Sequence, residues 1–369
     1  MLRCPACESE YEDRWRCSCG HALEFADPPR PDPDAPDARE GLWAFEAFLP
    51  VDHRVSLGEG YTPLVDAPDW DAQFKLEYVF PSGSFKDRGA TTTLSRALDV
   101  GAERVVEDSS GNAGAAIATY AARAGVDCEI YVPASVKASK LRAIERAGAD
   151  VVRVEGSRQA VTDACVEAVE EGAGWYASHA WNPAFFAGTA TVAYELAHQR
   201  DWSVPDAIVL PLGHGTLFLG AYRGFRALQE AGWTDSMPRL LGVQAAGYDP
   251  IAREFESKRR GSGRDGVASG ETPDPDAAVE TNDLADGIQI RDPARGDQIR
   301  AAIEATDGDC IGVDAAATER ELDALHARGF YTEPTCAVAP AGLREYRERG
   351  VLDEGSDVVV PLTGSGLKG

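Results

Sequence analysis

RVVEDSSGNAGAAIATYAARA, residues 104–124, decides the fold class. Arg104–Glu107 is a short β-branched run that reads as a strand, and Ala113–Ala124 is an Ala-rich run that reads as a helix. Between them, Ser109-Ser110-Gly111-Asn112 carries hydroxyls, an amide and free backbone N–H groups into the helix start. The same alternation extends outward. Phe74–Val79 reads as a strand and Lys86–Val100 as a helix; Cys128–Val132, Lys137–Ala147, Val151–Val154 and Arg158–Glu170 continue the series. Ala207–Leu212, Leu217–Glu230, Leu240–Gln244 and a late strand at Asp357–Leu362 complete it. This predicts an α/β protein with mainly parallel sheets and flanking helices, whose ligands sit beyond the carboxyl ends of the strands.

The flanks narrow the function class. The 369 residues hold 61 Asp+Glu against 36 Lys+Arg, a formal charge of −25, with 44% apolar residues. A chain this apolar is not a disordered acidic tail, and its length suits two or so domains. Such a charge repels nucleic acid and anionic lipid, and the densest basic cluster is only Lys258-Arg259-Arg260. No apolar run reaches the ~18 residues of a membrane helix. The opening MLRCPACESEYEDRWRC is polar and Cys-rich rather than a secretory leader, so the expected location is cytoplasmic. Only six lysines accompany the many carboxylates, a surface suited to molar salt and hence to a halophilic source. Residues 26–40 are dense in Pro and Asp and read as a stiff linker; Arg259 to about Asp283 reads as a long surface loop.

Four strand ends carry the chemistry. In Pro81-Ser82-Gly83-Ser84-Phe85-Lys86-Asp87-Arg88-Gly89, a lysine opens a helix just after a Ser/Gly turn. Helix-dipole charge and scarce water lower its pKa, as a Schiff-base lysine needs; the plain alternative is a lysine paired with a carboxylate. Ser109-Ser110-Gly111-Asn112 can hold a substrate carboxylate, with Asn112 donating to a phenolate-type oxygen, or it is an ordinary cap made by Ser110 or Asn112. Leu212-Gly213-His214-Gly215-Thr216-Leu217 lets a phosphate approach backbone N–H groups, although it is neither a Walker loop nor a dinucleotide fingerprint. Ala207–Gln229 and Ser109–Val126 contain no carboxylate, which suits either an anion site or simple burial. The fourth end is Thr363-Gly364-Ser365-Gly366, a hydroxyl-rich turn after the late strand.

Together these segments resemble the fold-type-II family of pyridoxal-phosphate enzymes, in particular threonine synthase and its near relatives. Ser56–Leu64, Lys75-Leu76-Glu77, Asn182-Pro183 with Gly188, Leu284–Ile288 and Glu333-Pro334-Thr335 extend the resemblance from about residue 55 onward. It implies that Lys86 holds the cofactor and later shuttles the Cα proton, and that Asn112 faces the cofactor's 3′-oxygen. Gly213, His214, Gly215, Thr216 and Leu217 would cradle its phosphate, and Thr363 (or, as a weaker candidate, Ser365) would face the pyridine nitrogen. Ser109, Ser110 and Gly111 would receive the substrate carboxylate. A neutral hydroxyl at the pyridine nitrogen makes a weaker electron sink than a carboxylate partner, which suits elimination and replacement rather than transamination.

The implied activity is a carbon–oxygen lyase, best matched to formation of threonine from O-phosphohomoserine and water. A threonine, serine or diamino-acid dehydratase or ammonia-lyase is the enzyme alternative, and a non-catalytic cofactor-binding paralogue the other. The dehydratase alternative draws on a departure. Asn182-Pro183-Ala184-Phe185-Phe186-Ala187-Gly188-Thr189 carries none of the basic residues that threonine synthases place there for substrate phosphate, and Phe80 replaces a usual polar residue. Arg88, Lys137, Lys140 and Arg142 are the cations left to compensate.

Cys4-x2-Cys7-x9-Cys17-x-Cys19 suits a four-thiolate structural zinc, with His21 as a substitute ligand. The expected organisation is a zinc-knuckle-like segment at 1–25, the linker, a small domain at 88–178 and a large cofactor-binding domain from 55–87 and 179–369. The expected partner is a small amino-acid substrate, with no nucleic acid and no membrane, and the resemblance implies a second copy in a homodimer.

Overall fold

Apolar runs without alternation need shelter on both faces, and the computed structural model supplies it. It describes residues 1–30, 36–261 and 281–368. In chain order the elements are β1 (Leu2–Arg3), β2 (Glu10–Tyr11), β3 (Glu24–Phe25), β4 (Leu64–Ala67), β5 (Ala72–Lys75), α1 (Lys86–Asp99), β6 (Arg104–Glu107), α2 (Asn112–Ala124) and β7 (Asp127–Pro133). Then come α3 (Ala138–Arg146), β8 (Asp150–Val154), α4 (Arg158–Glu170), β9 (Trp175–Tyr176), α5 (Pro183–Gln199), β10 (Ala207–Pro211) and α6 (Thr216–Glu230). The remainder is β11 (Arg239–Ala245), α7 (Pro250–Gly261), α8 (Gly296–Ala305), β12 (Asp309–Val313), α9 (Ala315–Ala327), α10 (Pro334–Glu348) and β13 (Val358–Pro361).

Two sheets organise these elements. One has the order β12-β11-β10-β13-β5-β4 and is parallel except for the β4–β5 pair; the other, β8-β7-β6-β9, is wholly parallel. Period-two alternation sends neighbours to opposite cores. Ile208 and Leu210 enter one cluster with α5 and α6, while Ala207 and Val209 enter another with α10. In the smaller sheet Val105, Ile130 and Val132 face one side, and Val106 and Tyr131 the other.

Helix α5 begins at the Asn182-Pro183 segment and contains Gly188. Asn182 caps it by accepting from Ala184 N–H at 3.0 Å, and Pro183 fixes its first turn. It lies so close to α6 that a Cβ on Gly220 would stand 2.7 Å from the Thr189 carbonyl carbon.

Some expectations need correction. The strand expected at Phe74–Val79 stops at Lys75, where its partner β13 ends in register with it at Pro361, and Glu77–Val79 makes a 3-10 turn that buries Glu77. The loop expected from Arg259 begins as the last residues of α7; residues 262–280 of it lie outside the described residues. Residues 31–35 of the expected linker also lie outside them, and Ala38–Phe48 at its end forms 3-10 turns capped by Asp37.

The N-terminal segment is a three-stranded antiparallel sheet, β2-β1-β3, packed on the body. Trp15 meets Tyr176 and Trp181 edge-on at 5.4 Å each, and Trp175 Nε1 donates to Asp13. Buried Arg295 reaches from before α8 to the Leu23 carbonyl at 3.0 Å, and Arg223 of α6 pairs with Glu24. The segment therefore touches elements packed on both larger sheets.

Candidate active site

After β5 the chain reverses through Ser82–Phe85 into α1. Asp87 holds the reversal by accepting the Ser82 N–H at 2.8 Å and the Ser82 hydroxyl, and Gly83 adopts φ +77, where a side chain would be strained. Lys86 thus becomes the first residue of α1. Its Nζ donates to Thr216 Oγ1 at 3.1 Å and stands 4.1 Å over the Phe85 ring. Burial pushes the amine down to about 8, with Lys368 acting in the same sense and Glu107 and Glu333 opposing.

Thr216 opens α6 behind Gly213, His214 and Gly215. A Cβ on Gly215 would lie 2.6 Å from Ile299, and its φ of +74 sets the entry angle. The Leu217 side chain is in the core, which leaves its backbone for any ligand. His214 Nδ1 is buried with no hydrogen-bond partner among the described residues. The His214 ring centroid is 5.3 Å from that of His179, whose Nδ1 is 2.6 Å from Glu107 Oε1 at the end of β6. Burial drives this group toward neutral forms: His179 down to about 3, His214 well below its usual range, and Glu107 well above its own.

Asn112 begins α2, on the smaller sheet. Its Nδ2 donates to Glu333 Oε1 at 2.8 Å, and its Oδ1 accepts from Lys368 Nζ at 2.6 Å. Buried Thr363 follows β13; its carbonyl accepts from Phe85 N–H at 3.1 Å, and Ser365 N–H donates to the Gly83 carbonyl at 2.9 Å. The segment after β13 is thereby bridged to the turn that carries Lys86. Ser109, Ser110 and Gly111 immediately precede Asn112, and Gly111 N–H donates to Ser109 Oγ at 3.3 Å.

The starts of α1, α2 and α6 share a property. Their caps are Phe85, Gly111 and Gly215, none with a side-chain bond to the helix; α3, α8 and α10 are likewise uncapped, whereas Ser157, Asn182 and Asp314 close α4, α5 and α9. Neither Ser110 nor Asn112 caps α2. At α1 the Asp87 and Arg88 N–H groups already donate to the Ser84 and Phe85 carbonyls at 3.2 and 3.1 Å, so the open starts are those of α2 and α6, and first-turn N–H groups left open at a helix's positive end are suited to anions. A pyridine ring bearing an aldehyde, a ring oxygen and a phosphate finds matching chemistry here: a lowered amine, an amide N–H, an unpaired buried imidazole nitrogen and open helix starts.

Two of the four candidate cations, Arg88 and Lys140, are engaged elsewhere. Arg88 is fully buried, shared between Glu77 and Glu195, and Lys140 pairs with Asp286 at 2.5 Å. Phe185 and Phe186 lie in two separate cores, where a basic group would be stranded. Glu107, His179, Glu333 and Lys368 are site residues that motif reading assigned no role. Glu107 left a signal as a carboxylate on the last residue of a buried strand, and Glu333 as the head of Glu333-Pro334-Thr335.

Away from this site, the Sγ atoms of Cys4, Cys7, Cys17 and Cys19 all lie within 4.8 Å of one another, with Cys4–Cys19 at 3.5 Å and Cys7–Cys17 at 3.4 Å. Tetrahedral zinc with ~2.3 Å bonds separates its sulfurs by about 3.8 Å, so the cluster fits such an ion.

Residues 55–364 match the family described as pyridoxal-phosphate dependent enzyme. The chain is 29% identical to threonine synthase of Methanocaldococcus jannaschii, covering 100% of this chain and 93% of that protein. It is 30% identical to threonine synthase of Methanosarcina acetivorans, covering 89% and 80%. Among solved structures it is similar to a pyridoxal 5'-phosphate-dependent aspartate racemase (25% identity, TM-score 0.66, covering 83% of this chain and 90% of that one). A threonine deaminase shares the fold (24% identity, TM-score 0.65, covering 83% and 92%). With a lysine amine, an amide and open helix starts gathered at strand ends, and with these relatives spanning nearly its whole length, the chain belongs to the family of pyridoxal-phosphate-dependent enzymes.

Proposed function

We infer that this enzyme is a carbon–oxygen lyase that converts O-phosphohomoserine and water to threonine and phosphate. The observation that carries the reading is the Lys86 amine, lowered to about 8 and held 3.1 Å from Thr216 Oγ1 at the open start of α6. Threonine synthases at about 30% identity over most of the chain support the choice of reaction. When bound, the cofactor supplies an electron sink that acidifies the Cα and Cβ protons of an amino acid.

Lys86 holds the cofactor's aldehyde carbon and moves the Cα proton. Asn112 donates to the 3′-oxygen, the backbone of Gly213–Leu217 receives the phosphate, and the Thr363 hydroxyl faces the pyridine nitrogen. Ser109, Ser110 and Gly111 bind the substrate carboxylate. Cys4, Cys7, Cys17 and Cys19 hold a structural zinc. Residues 88–178 form a small domain against a large one from 55–87 and 179–369, and two copies pair as a homodimer.

One observation favours a second reading, a dehydratase or ammonia-lyase acting on threonine, serine or a diamino acid. The positions expected to carry substrate-phosphate cations are core phenylalanines, and Arg88 is consumed by Glu77 and Glu195. Assays of the loaded enzyme separate the two. Threonine released with an equal amount of phosphate from O-phosphohomoserine supports the first reading. Formation of 2-oxobutyrate or pyruvate from threonine or serine, without phosphohomoserine turnover, replaces it with the second.

A further inference from the structure

A carboxamide's oxygen and nitrogen ends have nearly the same shape, so its direction must be set by what surrounds it. Around Asn112 the two neighbours are chemically opposite. Glu333 Oε1 accepts from Nδ2 at 2.8 Å, and Lys368 Nζ donates to Oδ1 at 2.6 Å. An ionised carboxylate only accepts and an ammonium only donates, so a flipped amide would set acceptor against acceptor and donor against donor. Glu333 Oε2 and Lys368 Nζ are 3.7 Å apart, which closes the three groups into a ring.

Each neighbour is itself held. Glu333 N–H donates to the Gly364 carbonyl at 3.0 Å, and a Cβ on Gly364 would collide with Glu333 Oε1, so the carboxylate's place depends on glycine there. The Lys368 stem crosses the Lys86 turn, with its Cδ 3.2 Å from where a Cβ of Gly83 would be. The charged and titratable groups that act on Lys86 are Glu107 at the end of β6, Glu333 at the head of α10, and Lys368. His179 and His214 lie beside Glu107.

We propose that Glu333 and Lys368 are positioning residues that fix the direction of the Asn112 amide, leaving its second N–H for the cofactor's ring oxygen. The inference rests on the cofactor-side role given to Asn112 above. It makes the segment Gly364–Lys368 part of the machinery that tunes the bound cofactor.

The test is a pH titration of the visible absorption of the enzyme loaded with pyridoxal phosphate, for wild type, Lys368→Met, Lys368→Arg, Asn112→Ala and the double variant Asn112→Ala/Lys368→Met. Losing a donor to the ring oxygen makes that oxygen more basic. The expected result is an upward shift of the apparent pKa of at least half a unit in Lys368→Met, at least half restored in Lys368→Arg. The Lys368→Met shift should fall to a third or less in the Asn112→Ala background. A shift of the same size in both backgrounds overturns the proposal, because Lys368 then acts on Lys86 by charge alone. No shift, or a raised KM for substrate as the sole effect, also overturns it. Should the double variant not fold, Glu333→Gln in the Lys368→Met background replaces it, with non-additive shifts expected and additive ones overturning. Wild type that gains no visible absorption on loading overturns the cofactor-side reading as well, which separates the two failures.

Discussion

The guanidinium of Arg88 bridges two carboxylates, with its Nε 2.6 Å from Glu77 Oε2 and its Nη2 2.8 Å from Glu195 Oε2, while Lys75 Nζ reaches the same Glu195 oxygen at 2.8 Å. All four side chains are fully buried. This lattice of two cations and two anions ties the end of β5 to α1 and α5, beneath the turn that carries Lys86.

Removing one partner leaves the others charged and out of water. Arg88→Met is expected to lower the unfolding free energy by about 3–5 kcal/mol, whereas breaking the exposed Arg3–Glu10 pair should leave it nearly unchanged. Burial alone would raise Glu195, but Arg88 and Lys75 hold it down to about 2. Its stabilisation is therefore complete above the ordinary glutamate range and is lost as pH falls toward 2. Urea unfolding from pH 7 to pH 3 measures both effects, and the acid dependence should be weaker in Glu195→Gln.

Lys86 must be neutral to attack an aldehyde. With its amine at about 8, the rate of cofactor capture by stripped enzyme should rise roughly tenfold between pH 7 and pH 9 and then level off. Stopped-flow absorption follows the capture, and borohydride reduction with peptide mapping should place the pyridoxyl group on Lys86. Lys86→Ala should yield no reduced adduct at any pH.

The cysteine cluster predicts one zinc per chain by metal analysis, released by a thiol-directed mercurial. Cys17→Ser should lose the metal. Its tryptophan emission should also change, because Trp15 packs against Tyr176 and Trp181 from within the same segment.

A formal charge of −25 predicts salt dependence. The unfolding midpoint should climb between low salt and molar KCl as screening relieves carboxylate repulsion. A flat response would remove the case for a halophilic source.

Strand–turn–helix alternation made most of the fold legible, since Arg104–Glu107 and Arg158–Glu170 have the bounds their residues suggest. Helix α5 was harder to read because it is buried on nearly every side and so lacks an amphipathic stripe. Lys86 and Asn112 were legible because each follows a turn with a local signature. Glu333 and Lys368 meet Asn112 from sequence distances of more than two hundred residues, and no local pattern records such a meeting. Arg88 misled for a related reason: the sequence displays a free cation, and only packing reveals that Glu77 and Glu195 have already claimed it.

The cysteine-bearing segment grips the Arg96 side of α1 and Trp175 at one end, and Arg223 and Arg295 at the other. Any hinge motion that parted the two sheets would have to peel away those grips first. In mechanical terms the segment is a rivet between them.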